Sequence, residues 1–83
     1  MQPTKRIVQT PEELGALLRA ERRAQSLTQA QAAAIAGVGV RLWNETEAGK
    51  RKQLGLETAL RMLQTLGLDL SVESRDQRGR ASG

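Results

Sequence analysis

Between Thr10 and Gly67 the apolar residues recur at helical spacing, in blocks separated by glycine or short polar runs; beyond Gly67 they fall on alternate positions. The first spacing belongs to one face of an α-helix, the second to one face of a strand. Thr10-Pro11-Glu12-Glu13 opens the first block. It puts a hydroxyl at the N-cap, proline at the first helical position and glutamate three residues after the cap, which together start a helix. The spacing predicts that this helix runs to about Ala24, with Leu14, Leu17 and Leu18 as its apolar stripe. Acids at its start and Arg19, Arg22 and Arg23 near its end complement the macrodipole.

Thr28-Gln29-Ala30-Gln31 repeats the cap-x-x-Gln pattern and predicts a second helix, whose alanines at 32, 33, 34 and 36 are good helix formers and whose end is Gly37. So little side-chain bulk lets a neighbouring helix approach closely, which suits two short helices joined by the tight turn Gly37-Val38-Gly39. A third helix follows from Val40 to about Ala48, with Leu42, Trp43 and Thr46 inward and Gly49 as its left-handed stop. Lys50-Arg51-Lys52 is a basic loop. Leu56, Ala59, Leu60, Leu63 and Leu66 then define a fourth helix closed by Gly67.

Leu68, Leu70 and Val72 alternate with Asp69, Ser71 and Glu73, the pattern of a half-buried strand over 68–73. A single strand cannot satisfy its own backbone donors and acceptors, and the chain offers no good second one. The expected partner is therefore the same segment of a second copy. Residues 1–9 read as a flexible basic arm and 74–83 as a disordered tail, leaving 10–73 as one mainly α domain of four helices and a dimerisation strand.

At 83 residues the chain has room for one core. Domains of about 60 ordered residues bury only about 60% of the surface their unfolded chains expose, so dimerisation would help a marginal fold. Cysteine, histidine and tyrosine are absent. That removes thiolate and imidazole metal sites and the usual proton shuttle, and the scattered carboxylates form no acid and base pair; no enzyme, metal or cofactor is expected. No stretch is apolar enough to span a membrane and residues 1–8 lack the core of a signal peptide, which predicts a cytoplasmic, nucleoid-associated protein. The formal charge of +4 favours an anionic partner, first of all nucleic acid, although Arg75, Arg78 and Arg80 in the tail inflate it.

Leu27-Thr28-Gln29, Ala33, Gly37-Val38, Trp43-Asn44, Glu47 and Gly49-Lys50 stand at offsets that resemble the helix-turn-helix family of lambdoid phage repressors, the Xre family. The likeness covers roughly residues 14–66. It implies five-helix-type packing in which the third helix enters the major groove of duplex DNA, with a strand here in place of the fifth helix. That ending, with Thr10-Pro11-Glu12-Glu13-Leu14-Gly15 at the start, is similar to the HipB-type antitoxins. This narrower resemblance implies a homodimeric repressor that binds its own operator and neutralises a HipA-type serine/threonine kinase toxin.

Carried over by position, Thr28, Gln29 and Gly39 would hold phosphate, the first two at a helix N-terminus where capping is the plainer role. Val40, Arg41, Asn44 and Glu45 would meet base edges: Arg41 suits guanine, Asn44 adenine, and Val40 a thymine methyl. Phosphate contact is the simpler alternative for Arg41 and Asn44. Lys50, Arg51 and Lys52 would bind phosphate or form a solvated loop. Arg22 and Glu47 align with the family's buried ion pair, and Trp43, the one aromatic residue, belongs to the core rather than to base stacking. Gly39 stands where serine is usual and Thr46 where leucine is usual, which weakens a cap and leaves a hydroxyl to bond the carbonyl one turn back. Two other readings stay open: a protein-interaction module that keeps the helix-turn-helix as scaffold, and a phage-type repressor without a toxin.

Overall fold

The computed structural model describes residues 5–74 and contains four helices, α1 (Pro11–Ala24), α2 (Gln29–Ala36), α3 (Val40–Glu47) and α4 (Leu56–Thr65). α1 packs on α3, and α2 packs on both α3 and α4. Capping sets the starts of the first two helices. Thr10 Oγ1 accepts from the Glu13 amide at 3.0 Å, and the Glu13 carboxylate accepts from the Gln9 amide at 2.6 Å. At α2 the box is reciprocal: Thr28 Oγ1 accepts from the Gln31 amide at 3.0 Å, and Gln31 Oε1 accepts from the Thr28 amide at 2.8 Å. Gly39 and Gly55 precede α3 and α4 with no side-chain cap bond.

All four helices end alike. An amide just beyond each end returns to a carbonyl five residues back (Leu27 to Arg22, Val38 to Ala33, Lys50 to Glu45, Leu68 to Leu63), and the residue before each such donor has positive φ. Three of those residues are glycines; the fourth, after α1, is Ser26 at φ 58°.

The core is built on Leu18, the three alanines Ala32, Ala33 and Ala36, Trp43, Met62, Leu63 and Leu66. Leu14, Leu17, Leu42 and Leu68 pack partly buried around it. The small alanines of α2 let α3 and α4 approach its backbone, and the large Trp43, Leu18 and Met62 side chains fill the space that remains. Thr46 lies inside as well, its hydroxyl donating to the Leu42 carbonyl at 2.7 Å, which satisfies the polar group one turn back along the helix.

Two expectations meet the structure differently. Of the five residues whose spacing defines α4, Leu56 occupies the first position of the helix and is 66% exposed, whereas Met62, outside that set, is buried in the core. No strand forms among the described residues. The Leu68 amide caps α4, while Leu70 and Val72 are exposed, Val72 to 91%. A strand exists only through a ladder partner, and one copy of the chain supplies none.

Near the amino terminus, Lys5 pairs with Glu73 at 2.9 Å and Arg6 with Glu21 at 2.7 Å. The tail arginines 75, 78 and 80 lie outside the described residues.

Candidate nucleic-acid interface

α3 has two faces. Trp43, Thr46 and Glu47 point into the protein, while Val40, Arg41 and Asn44 are exposed and Glu45 lies partly covered beside them. Residues 40, 41, 44 and 45 share a face because helical neighbours stand three and four apart. The inward face is fixed by Trp43 and by α1, since Gly15, Leu18 and Arg22 form the buried stripe of that helix. A Cβ built on Gly15 would lie 2.5 Å from the Glu47 carbonyl oxygen, and one on Gly49 would lie 3.0 Å from Glu12 Cα. Only glycine at these two points allows α1 to seat against the end of α3.

Glu47 anchors the arrangement. Its carboxylate, 3% exposed, accepts from Arg22 Nη2 and Gln29 Nε2 on one oxygen, both at 2.9 Å, and from Arg22 Nε and Trp43 Nε1 on the other. Four donors fill the acceptor capacity of a carboxylate. Arg22 spends another N–H on the Leu27 carbonyl at 2.8 Å, tying in the turn before α2. Burial pushes the Glu47 carboxyl upward, but the bonds from Arg22, Gln29 and Trp43 outweigh it, and the net direction is below the ordinary value of 4.5. The bond to Glu47 raises the Arg22 guanidinium above its ordinary value. Both therefore stay charged near neutrality.

This buried pair reaches the outer face through Gln29. Its Oε1 accepts from Asn44 Nδ2 at 3.1 Å, so a continuous chain of hydrogen bonds runs from Arg22 to an exposed side chain of α3. Arg19, Arg22, Arg23, Gln29, Asn44 and Glu47 line one shallow depression. Arg19 and Arg23 are exposed there and form no ion pair among the described residues. They read from sequence only as complements to the helix dipole; their positions off the apolar stripe gave no hint that they flank the start of α2.

On the other side of the α3 face, Glu45 accepts from Arg41 Nε at 3.1 Å and from Arg51 Nη1 at 3.4 Å. The bond from Arg41, with Arg51 adding to it, holds the Glu45 carboxyl below its ordinary value. Arg41 is nonetheless 90% exposed and extends outward. Lys50 is exposed beside this cluster in sequence, whereas Lys52 turns away to Glu12 at 3.2 Å, at the start of α1. Thus Gln29, Val40, Arg41, Asn44, Glu45 and Arg51 come together, and Lys52 does not join them. Thr28 and Gly39 stand at the caps of α2 and α3, with the Thr28 hydroxyl occupied by Gln31.

Two short helices joined by a glycine turn, the second with an exposed polar face and the first starting beside it, define a helix-turn-helix. Residues 13–77 match the helix-turn-helix domain family, and the chain belongs to that family. It is similar to a protein of Sinorhizobium fredii (strain NBRC 101917 / NGR234) named "uncharacterized HTH-type transcriptional regulator y4mF", with 40% identity over 72 residues that span 86% of this chain and 92% of the relative. Among the described residues no helix is long and apolar enough to cross a membrane.

Proposed function

We propose that this chain is a sequence-specific DNA-binding transcriptional repressor that binds its own operator as a homodimer. The exposed α3 face carries this reading: Val40, Arg41, Asn44 and Glu45 are presented together beside the start of α2, where free backbone amides and the helix dipole favour a phosphate. α3 enters the major groove. Gln29 and Gly39 contribute backbone amides to phosphates, Thr28 can join only by releasing its amide and hydroxyl from Gln31, and Lys50 and Arg51 contribute side chains, with Lys52 able to join by leaving Glu12. Arg19 and Arg23 extend the same positive rim. The S. fredii relative, a regulator by name, supports a role in transcription.

The dimer forms through residues 68–73, where exposed Leu70 and Val72 await a ladder beyond the Leu68 amide that caps α4. As its biological role we propose an antitoxin of the HipBA kind, neutralising a HipA-type kinase in the cytoplasm, on the strength of the opening Thr10-Pro11-Glu12-Glu13-Leu14-Gly15 and the Leu68–Glu73 ending.

Fluorescence anisotropy against the duplex upstream of its own gene, at two salt concentrations and beside a scrambled duplex, tests the repressor. A preference of about a thousandfold or more is expected. Equal, weak binding to both would reject operator recognition by the protein alone and favour an interaction module. Sedimentation of the chain and of Val72→Lys tests the dimer, and inhibition of the neighbouring kinase's phosphorylation tests the antitoxin role.

A further inference from the structure

Amide side chains have a polarity, and the one at the DNA-facing end of α3 is set from inside the protein. Glu47 is an ionised carboxylate that only accepts, so the end of the Gln29 amide turned toward it must be the –NH2 group, as the 2.9 Å bond from Nε2 records. The other end of that amide is then an oxygen. It accepts, so Asn44 must turn its own –NH2 group toward it, at 3.1 Å. One N–H of Asn44 is consumed in this way, and its remaining N–H and its Oδ1 have no partner among the described residues, on a side chain that is exposed.

From this relay we infer that Gln29 is a positioning residue that commits Asn44 to reading adenine, an inference that rests on the proposed operator binding. An amide offering one donor beside one acceptor matches a base edge offering one acceptor beside one donor. In the major groove adenine alone has that edge, N7 accepting and N6–H donating. Guanine presents two acceptors, against which Oδ1 is repelled, and thymine and cytosine each match only half of the amide. A free asparagine on a helix surface samples both amide orientations and loses that freedom on binding; Asn44 has lost it already, to a chain that ends on a buried and charge-paired group. The Gln29 side chain thus serves Asn44, while its backbone amide, at the first position of α2, remains for a phosphate.

The test is selection of preferred duplexes from a random library by the full-length protein, by Asn44→Ala and by Gln29→Ala, with Lys50→Ala as a phosphate-contact control. The wild type should enrich an A·T pair at one position of each half-site, and both Asn44→Ala and Gln29→Ala should lose the preference at that position while keeping the rest of the motif. Replacing that adenine by 7-deazaadenine should weaken the wild type on the order of tenfold and Asn44→Ala hardly at all. The wild-type half of this arm uses the unaltered protein, so the loss on 7-deazaadenine stands even if a variant folds poorly. Uniform weakening by Gln29→Ala with the motif intact, as expected for Lys50→Ala, would show Gln29 to be a phosphate ligand and overturn the relay. A motif whose Asn44-dependent position is not A·T would overturn it too. Failure of the wild type to enrich any motif would reject operator reading itself, a different result from either.

Discussion

Gly15 of α1 lies against the backbone carbonyl of Glu47 at the end of α3, so close that a Cβ on Gly15 would stand 2.5 Å from the carbonyl oxygen. That contact sets the distance between the two helices. Two turns further along α1, on the same face, Arg22 reaches the Glu47 side chain. The backbone of one residue and its carboxylate are therefore held from two points of one helix.

Gly15→Ala follows directly. Alanine in mid-helix gains about 1 kcal/mol over glycine from propensity, but overpacking against rigid backbone costs typically about 1–3 kcal/mol. Here the obstructing atoms are main chain, which cannot rotate away, and net destabilisation is expected. For a domain of this size each kcal/mol lowers Tm by roughly 4–8 °C. A thermal melt followed by circular dichroism checks it; an equal or higher Tm would show that α1 can move off α3.

Removing one member of the Arg22–Glu47 pair should cost about 3–5 kcal/mol, because the other is left charged and nearly buried. Arg22→Ala and Glu47→Ala should each approach global unfolding in urea. The double variant should lose clearly less than the sum of the two, the signature of coupled residues. Additive losses would show that the two side chains act independently.

The same carboxylate makes stability depend on acid. The folded Glu47 titrates below its ordinary value of 4.5. Its contribution is complete above that pH and is lost as pH falls through the lower, folded value. In carbon-detected NMR of the glutamate carboxyls, Glu47 should still be ionised below its ordinary value of 4.5 and should protonate together with unfolding. Early titration of Glu47 in the intact fold would contradict the four-donor site.

Glu45 places a negative charge between Arg41 and Arg51 on the proposed DNA face. In Glu45→Gln both guanidiniums are released and one repulsion with phosphate is removed. Affinity for nonspecific duplex should rise several-fold at low salt, and the gain should shrink at high salt. Unchanged affinity would place this face away from DNA.

Ser26 holds the left-handed conformation that ends α1, at φ 58°, and a side chain there costs on the order of 1 kcal/mol relative to glycine. Ser26→Gly should therefore raise Tm by a few degrees, with DNA binding unchanged. A lower Tm would mean that the serine hydroxyl outweighs the backbone preference.

The four helices were legible in the chain because what makes them is local. Thr10 and Thr28 each cap an amide three residues on, Gly37, Gly49 and Gly67 take positive φ where helices end, and the period of the leucines and alanines identifies the inward face. The hydroxyl of Thr46 returning to Leu42 is equally a matter of one turn. None of this needs a neighbour in space.

Tertiary structure decided the rest, since it turns on residues far apart in sequence. Spacing names a face but not how far along the helix a neighbour covers it, so Leu56 stays exposed and Met62 is buried. It cannot distinguish Gly15 as a packing contact from a glycine merely tolerated in a helix, and only the seating of α1 on α3 does so. Asn44 and Gln29 were readable as separate polar residues of a helix-turn-helix; that one orients the other, and that a carboxylate 18 residues from Gln29 orients both, required the three side chains to meet. Alternation over 68–73 indicated a strand, but a ladder is a property of two segments and not of one. Periodicity and capping are interactions within a turn or two, which the order of residues records, whereas burial depth, close backbone approach and amide polarity arise only when distant segments share a surface.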